Sequence, residues 1–168
     1  MCAEMKITME NYFDRILENK KIPKQIKETV CSEMHHALEV SNMAVLISKE
    51  LGKDKQFRDD IAVAGVLHDI GKLRVNRYVY SDEKDDTLVI EKMKYVRMHS
   101  TYSRDILKGE DYPENIIEAV YHHHENYDGS GYPDGLKGKN IPEMSRILRT
   151  CDVFSALITD RSYRKAFD

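Results

Sequence analysis

Seven histidines in 168 residues are the first side chains of this sequence that could do chemistry. They are His35, His36, His68, His99, His122, His123 and His124, and each adjoins another histidine or lies in a run that reads as a helix end. A lone histidine is ordinarily a satisfied core or surface residue. Histidines clustered with acids point to a metal site, because neutral imidazole nitrogens and carboxylate oxygens are the donors that Fe, Mn, Co, Ni or Zn accept. The candidate ligands are His36, His68, Asp69, His99, His123, His124 and Asp152. That set is too large for one first-row ion and suits two ions sharing a bridging carboxylate. Two ions about 3.5–4 Å apart clamp a phosphate ester, acidify a shared water and neutralise phosphate oxygens. No cysteine is required.

These side chains need elements to position them, and the apolar spacing supplies helices. Residues 24–51 read as one long helix or two short ones, with Val30, Met34, Leu38, Val40, Met43, Ala44, Ile47 and Leu51 at 3–4 spacing and Gly52 as C-cap. His36 falls in that apolar register, with Val40 and Met43 following, so it points inward as a ligand or as a hydrogen-bonded core histidine. Residues 57–70 form a central helix, apolar on most faces, that ends in His68-Asp69-Ile70-Gly71-Lys72. Gly71 suits a left-handed helix end. The plain alternative there is a capped helix end with a surface His–Asp–Lys cluster. Residues 73–95 are less regular, with Tyr78-Val79-Tyr80 and Leu88-Val89-Ile90 as short strands or irregular connections. Helix returns over 91–108 and contains His99. Pro113 opens a further helix whose core face is Ile116, Ile117, Ala119 and Val120, and it runs into His122-His123-His124-Glu125.

Residues 128–135 are dense in turn formers, and Tyr132 before Pro133 sits on a stiff, extended tip that suits a base-stacking or gating contact. The last helix covers 142–159, and Asp152 interrupts its apolar pattern. A mid-helix acid there is either paired with an arginine such as Arg149 or is a ligand. An amphipathic helix over residues 8–20 carries no evident chemistry.

The length fits one domain with a real core. A net charge of −3 argues against a general nucleic-acid binder and leaves room for a local cationic site for a small phosphate ligand. The cysteines Cys2, Cys31 and Cys151 are odd in number and irregularly spaced, so they read as free thiols. No signal peptide and no apolar run of membrane-spanning length is present, so a soluble cytoplasmic protein is expected.

His36, His68-Asp69 and Asp152 together resemble the signature of the HD metal-dependent phosphohydrolase superfamily. The stretches His68-Asp69-Ile70-Gly71-Lys72 and His123-His124-Glu125-Asn126-Tyr127-Asp128-Gly129-Ser130-Gly131-Tyr132-Pro133 resemble its HD-GYP subfamily. Ile141-Pro142, Arg146-Ile147-Leu148, Asp152-Val153-Phe154-Ser155-Ala156-Leu157 and Asp160-Arg161-Ser162-Tyr163-Arg164 continue the likeness in order, over roughly residues 32–168. The resemblance implies an all-α fold, an HD-domain helical bundle with a metal centre in its core, over 31–168 after an N-terminal helical extension at 1–30. It implies hydrolysis of the bacterial second messenger cyclic di-GMP to pGpG and/or GMP by a metal-bridging hydroxide. His36, His68, Asp69 and Asp152 would hold one ion, Asp69 would bridge, and His99, His123 and His124 would hold the other, with His122 outside the set. Lys72 would contact the scissile phosphate, and Tyr132, Arg161 and Arg164 would contact the nucleotide.

Ser32 stands where some members carry a glutamate for a third metal, so two ions are expected, iron or manganese before nickel, cobalt or zinc. Two positions lose a rigid turn and no ligand. They are His99-Ser100 for the usual His-Pro, and Arg161-Ser162-Tyr163-Arg164 for the usual Arg-Pro-Tyr-Arg. The sequence ends at Asp168, where the family pattern continues for another helix or two. The expected partner is a cyclic dinucleotide, with no nucleic-acid polymer and no membrane, and with room for a regulatory protein or a homodimer. The alternatives are an HD phosphohydrolase for another nucleotide and a non-catalytic cyclic di-GMP-binding module.

Overall fold

A computed structural model describes residues 24–79 and 96–158, with side chains over 29–75 and 96–158. The helix expected at 8–20, the strand at Leu88–Ile90, and Arg161 and Arg164 lie outside these residues. The described residues form α-helices and one short 3-10 turn, with no strand among them. The helices are α1 (Lys24–Glu50), α2 (Lys55–Leu67), α3 (Lys72–Val79), α4 (His99–Gly109), α5 (Glu114–Tyr121) and α6 (Glu143–Ile158), and the 3-10 turn is Gly138–Asn140. The all-α expectation holds. No helix among the described residues is long and apolar enough to cross a membrane.

The chain divides into two compact units, Met1–His36 and Ala37–Asp168. Helix α1 has bounds that include residues of both. It stops at a left-handed glycine. Gly52 has φ 69°, its N–H reaches Lys49 O at 3.0 Å, and Lys53 N–H reaches Ser48 O at 3.0 Å. This is the C-cap read from the sequence, closing the last carbonyls that a helix leaves unpaired. Two residues later Asp54 caps α2, its side chain accepting from Phe57 N–H at 2.8 Å.

The core of the second unit is one apolar cluster built from the inward faces of five helices, with Leu107 contributed by α4. Val40 and Ala44 come from α1, Ile61 and Ala64 from α2, Ile116, Ile117, Ala119 and Val120 from α5, and Ile147, Leu148 and Cys151 from α6. Full burial of Ile61, Leu107 and Leu148 contributes about 1.5–3 kcal/mol for each side chain. Helices α1 and α2 approach closely where a side chain is missing. A Cβ on Gly65 would lie 2.6 Å from the Cα of Ser41, and Ser41 Oγ donates to Ala62 O at the same crossing. Around this core α5 packs on α2, α4 and α6, and α3 packs on α4.

Two expectations need correction. Tyr78 and Val79 belong to helix α3 and not to a strand. Their β-branched and aromatic character favours strand locally, but the segment is short and packs as a helix on α4. The helix expected over 91–108 is broken, as far as it is described, by a turn at Met98, so that His99 begins α4 rather than lying within it.

Candidate metal centre

Asp69 is the point on which the chemistry converges. It lies in the turn that joins α2 to α3, and that turn is held by the backbone. Lys72 N–H donates to Asp69 O at 2.9 Å, and Gly71 N–H donates to the Ser103 hydroxyl of α4 at 2.8 Å. Ser103 in turn donates to His68 O at 3.1 Å. Gly71 is glycine because of contact and not because of its backbone angles. A Cβ there would fall 2.0 Å from His99 O and 2.6 Å from Ser103 N, and its φ is not positive. The close approach brings the first turn of α4 against the His-Asp turn, which places His99 beside Asp69.

The Asp69 carboxylate meets a different group on each side. Lys72 Nζ is 2.6 Å and His68 Nε2 3.2 Å from Oδ2. His99 Nε2 is 3.1 Å and His123 Nε2 4.0 Å from Oδ1. One ligand atom from each of Asp69, His99, His123 and His124 lies within 4.8 Å of the others.

Three of the rings are aimed by the same device. Nδ1 of His68 donates to Gly65 O at 2.8 Å, Nδ1 of His123 donates to Val120 O at 2.6 Å, and Nδ1 of His99 donates to Val96 O. A carbonyl only accepts, so the hydrogen sits on Nδ1 and Nε2 points at the carboxylate. For His99 and His123 that leaves two Nε2 lone pairs 3.4 Å apart, and His124 Nε2 is 3.0 Å from His99 Nε2. Asp69 Oδ1, facing the same point, is buried and accepts no hydrogen bond. Converging lone pairs and an ionised oxygen repel one another unless a cation sits among them. The donor set therefore fits a divalent metal of the imidazole–carboxylate class.

Protonation follows the same pattern. Burial raises the Asp69 pKa, but His68 by charge and hydrogen bond, and Lys72 by charge, pull it well below the usual carboxylate range. Burial lowers the His68 pKa, and Asp69 more than reverses this, so the net shift is upward. Burial and the neighbouring rings hold His123 well below the ordinary histidine value. Burial and His99 push His124 down to about 3. Near neutral pH Asp69 is ionised and His123 and His124 are neutral, which are the states metal ligands need.

The loop after α5 supplies the rim. Tyr132 stacks on His124, with ring centroids 4.8 Å apart and planes 27° apart, and the Arg97 guanidinium lies 5.3 Å from the same ring's centroid. The Tyr132–Pro133 peptide is cis. Glu125 anchors this loop. It is 1% exposed, and Oε1 accepts from Asp134 N–H at 2.8 Å and Gly135 N–H at 3.0 Å. The turn doubles back so tightly that a Cβ on Gly131 would lie 2.2 Å from Asn126 N and 2.5 Å from Glu125 Cα.

The sequence-predicted residues fall into three groups. Asp69, His99, His123 and His124 meet in one cluster, with His68 and Lys72 on Asp69. His36 is half-buried on α1 and belongs to the first compact unit. Asp152, half-buried on α6, does not pair with Arg149, whose guanidinium turns to Asn126 and His124. It does influence the site by charge, raising the pKa values of His68 and His124. His122 Nε2 lies 3.1 Å from Glu118 Oε2. The sequence reading gave Glu125, Asn126 and Arg97 no role of their own and offered Arg149 only as a partner for Asp152. Of these only Glu125 had a signal, as an acid abutting a turn-rich loop whose backbone donors need acceptors.

A family model described as "HD domain" matches residues 12–168. The cyclic di-GMP phosphodiesterase response regulator RpfG of Xanthomonas campestris pv. campestris is 35% identical over 130 residues, covering 76% of this chain and 34% of that protein. The 3'3'-cGAMP-specific phosphodiesterase 1 of Vibrio cholerae is 36% identical over 129 residues, covering 77% of this chain and 30% of that one. The chain thus spans about a third of the length of these curated relatives. Among solved structures, Bd1817, an HDG"Y"P protein from Bdellovibrio bacteriovorus, shares the fold with a TM-score of 0.61 at 20% identity, over 76% of this chain and 41% of that one.

Proposed function

The chain belongs to the HD domain family and carries the HD-GYP pattern in its His-His-Glu to Gly-Tyr-Pro loop, and from this we propose that it is a metal-dependent phosphodiesterase hydrolysing cyclic di-GMP to pGpG and/or GMP. The observation that carries the proposal is the convergence of Asp69, His99, His123 and His124 on one point, with Lys72 on the outer oxygen of Asp69. Two divalent ions, iron or manganese first, would be held by His36, His68, Asp69 and Asp152 on one side and by His99, His123 and His124 on the other, with Asp69 shared. Bound there, such ions would lower the pKa of water and neutralise phosphoryl oxygens.

The chain's own residues supply the rest. The ionised Asp69 fixes the Lys72 ammonium beside the cluster, where it meets the charge that grows on the phosphoryl oxygens as water attacks phosphorus and the ester P–O bond breaks. His68, His99 and His123 keep their orientation through backbone carbonyls three residues back, so little reorganisation accompanies binding. Tyr132, and Arg161 and Arg164 by family position, contact the nucleotide.

Anaerobic metal analysis coupled to a cyclic di-GMP turnover assay with added Mn or Fe tests the proposal. About two metals per chain together with pGpG or GMP is the expected result, and a chain that binds no metal sinks it. A second reading, favoured by the likeness to a 3'3'-cGAMP-specific relative, keeps this chemistry and exchanges one guanine for adenine. The same assay run on both dinucleotides separates the two by kcat/KM.

A further inference from the structure

We propose that Arg149 binds the second, non-reacting phosphodiester of the substrate and so sets a requirement for a cyclic dinucleotide. This rests on the phosphodiesterase reading above.

Arg149 lies half-buried on α6, two turns before the helix end. Its guanidinium is held in one orientation. Nε at 3.1 Å and Nη2 at 3.0 Å both donate to Asn126 Oδ1. Asn126 is fixed in turn, since its Nδ2 donates to Ser130 Oγ at 3.0 Å and Ser130 Oγ donates to Asp128 Oδ1 at 2.7 Å. The loop therefore spends a chain of side-chain hydrogen bonds on aiming one cation. The remaining nitrogen, Nη1, reaches His124 Nδ1 at 3.4 Å.

Two features make this a ligand site in waiting. First, Arg149 makes no ion pair among the described residues, although Asp152 lies three residues along the same helix. A half-buried cation beside a cluster of neutral rings, with no carboxylate of its own, calls for an anion. Second, a guanidinium has five N–H donors, and the contacts to Asn126 engage two of them, so three remain to meet phosphate oxygens.

Position decides which phosphate. Arg149 touches His124 on Nδ1, the edge of the ring turned away from Nε2 and therefore from His99 and Asp69. Lys72 already faces the cluster at Asp69 Oδ2. Arg149 is thus a ring's width removed from the reacting centre, on the side of Tyr132, whose hydroxyl pKa it lowers by its charge against a larger upward push from burial. A cyclic dinucleotide has two phosphodiesters on opposite sides of its ring. With one at the cluster and Lys72, the other needs a fixed counter-charge some distance off.

The test compares wild type, Arg149→Ala and Arg149→Lys on cyclic di-GMP and on bis(4-nitrophenyl) phosphate, which has a single phosphodiester. Metal content, Tm and binding of a slowly cleaved phosphorothioate analogue of cyclic di-GMP are read in parallel. Arg149→Ala is expected to raise KM for cyclic di-GMP about tenfold, the effect of one charge-assisted hydrogen bond, with kcat within about twofold. Arg149→Lys keeps the charge and should recover part of the loss. Turnover of bis(4-nitrophenyl) phosphate and metal content should not change. Equal loss on both substrates with reduced metal content would overturn the proposal, because Arg149 would then act by orienting His124. An unchanged KM overturns it as well. If wild type cleaves neither ester, the phosphodiesterase reading fails separately. Weakened binding of the analogue by Arg149→Ala would still support the phosphate site, and equal binding would refute it.

Discussion

At the scale of single residues, the centre depends on keeping charge where burial opposes it. Asp69 is held ionised by His68 and Lys72, while His123 and His124 are held neutral. The sign of the resulting pH dependence can be worked out. His124 has a folded pKa of about 3 against an ordinary 6.5, so between those values the unfolded chain binds a proton that the folded chain does not. Its contribution is complete above about pH 6.5 and is lost as pH falls towards 3. His123 shifts in the same direction. His68 shifts the other way, and its stabilising contribution is present below the unfolded value and lost as pH rises through its higher folded one. With two rings against one, metal-free protein should lose stability on acidification from about pH 6.5 to 4, as denaturant midpoints at half-unit pH steps would record. A flat or rising profile would mean that His68 dominates.

A second residue-scale prediction concerns Glu125. Replacing it with Ala leaves the Asp134 and Gly135 N–H groups without their acceptor, at a cost of about 1–3 kcal/mol. The loop should loosen around Tyr132 while the four-residue cluster keeps its metal. Urea melts and metal content measured on one preparation would show the two effects apart.

At the scale of elements, the site is an agreement between helix ends. Asp69 and His68 follow α2, His99 starts α4, and His123 and His124 follow α5. Ends suit this work because Nδ1 of a histidine there can reach the carbonyl three residues back, and this aims Nε2 outward. Much of this was legible. Apolar spacing gave the helices, Gly52 gave the end of α1, and the His-Asp and triple-His runs fell where helices stop. What stayed hidden depended on contact between segments distant in sequence. Gly71 suggested a left-handed turn because a lone glycine at a helix end usually is one, whereas its true reason is the backbone of His99 and Ser103 lying against it. The clamp of Arg149 on Asn126 joins residues 23 apart, and no local pattern announces it.

The two close-approach glycines give a paired prediction. Gly71→Ala must push α4 away from the His-Asp turn and carry His99 with it, and Gly65→Ala must push α1 from α2 at Ser41. Overpacking should cost each variant about 1–3 kcal/mol. Only Gly71→Ala should also lose metal affinity, by tenfold or more, because only there does the displaced backbone belong to a proposed ligand, His99. Equal metal affinities in the two variants would argue against His99 as a ligand.

At the scale of the whole molecule, the question is what holds four inward-facing ligand atoms together without a cation. The fold of the second unit does so by packing. The core is shared by α1, α2, α4, α5 and α6, so the helices that carry the four ligand atoms have other reasons to be in place. The metal-free protein should therefore fold, unlike small domains whose metal replaces a core. The repulsion nonetheless remains as a local weakness, so a cation that relieves it must stabilise the folded state by its differential affinity. At a free concentration one hundred times its Kd, one bound ion adds about 2.7 kcal/mol. For a chain of this size that raises Tm by roughly 5–10 °C. Calorimetric scans under anaerobic conditions, before and after chelation, should show this shift while far-UV circular dichroism stays helical in both states. Asp69→Ala should abolish the shift, since it removes the one anionic ligand of the cluster. Unfolding on chelation would mean that the metal organises the fold itself. No shift at all would mean that the convergence of Asp69, His99, His123 and His124 binds nothing.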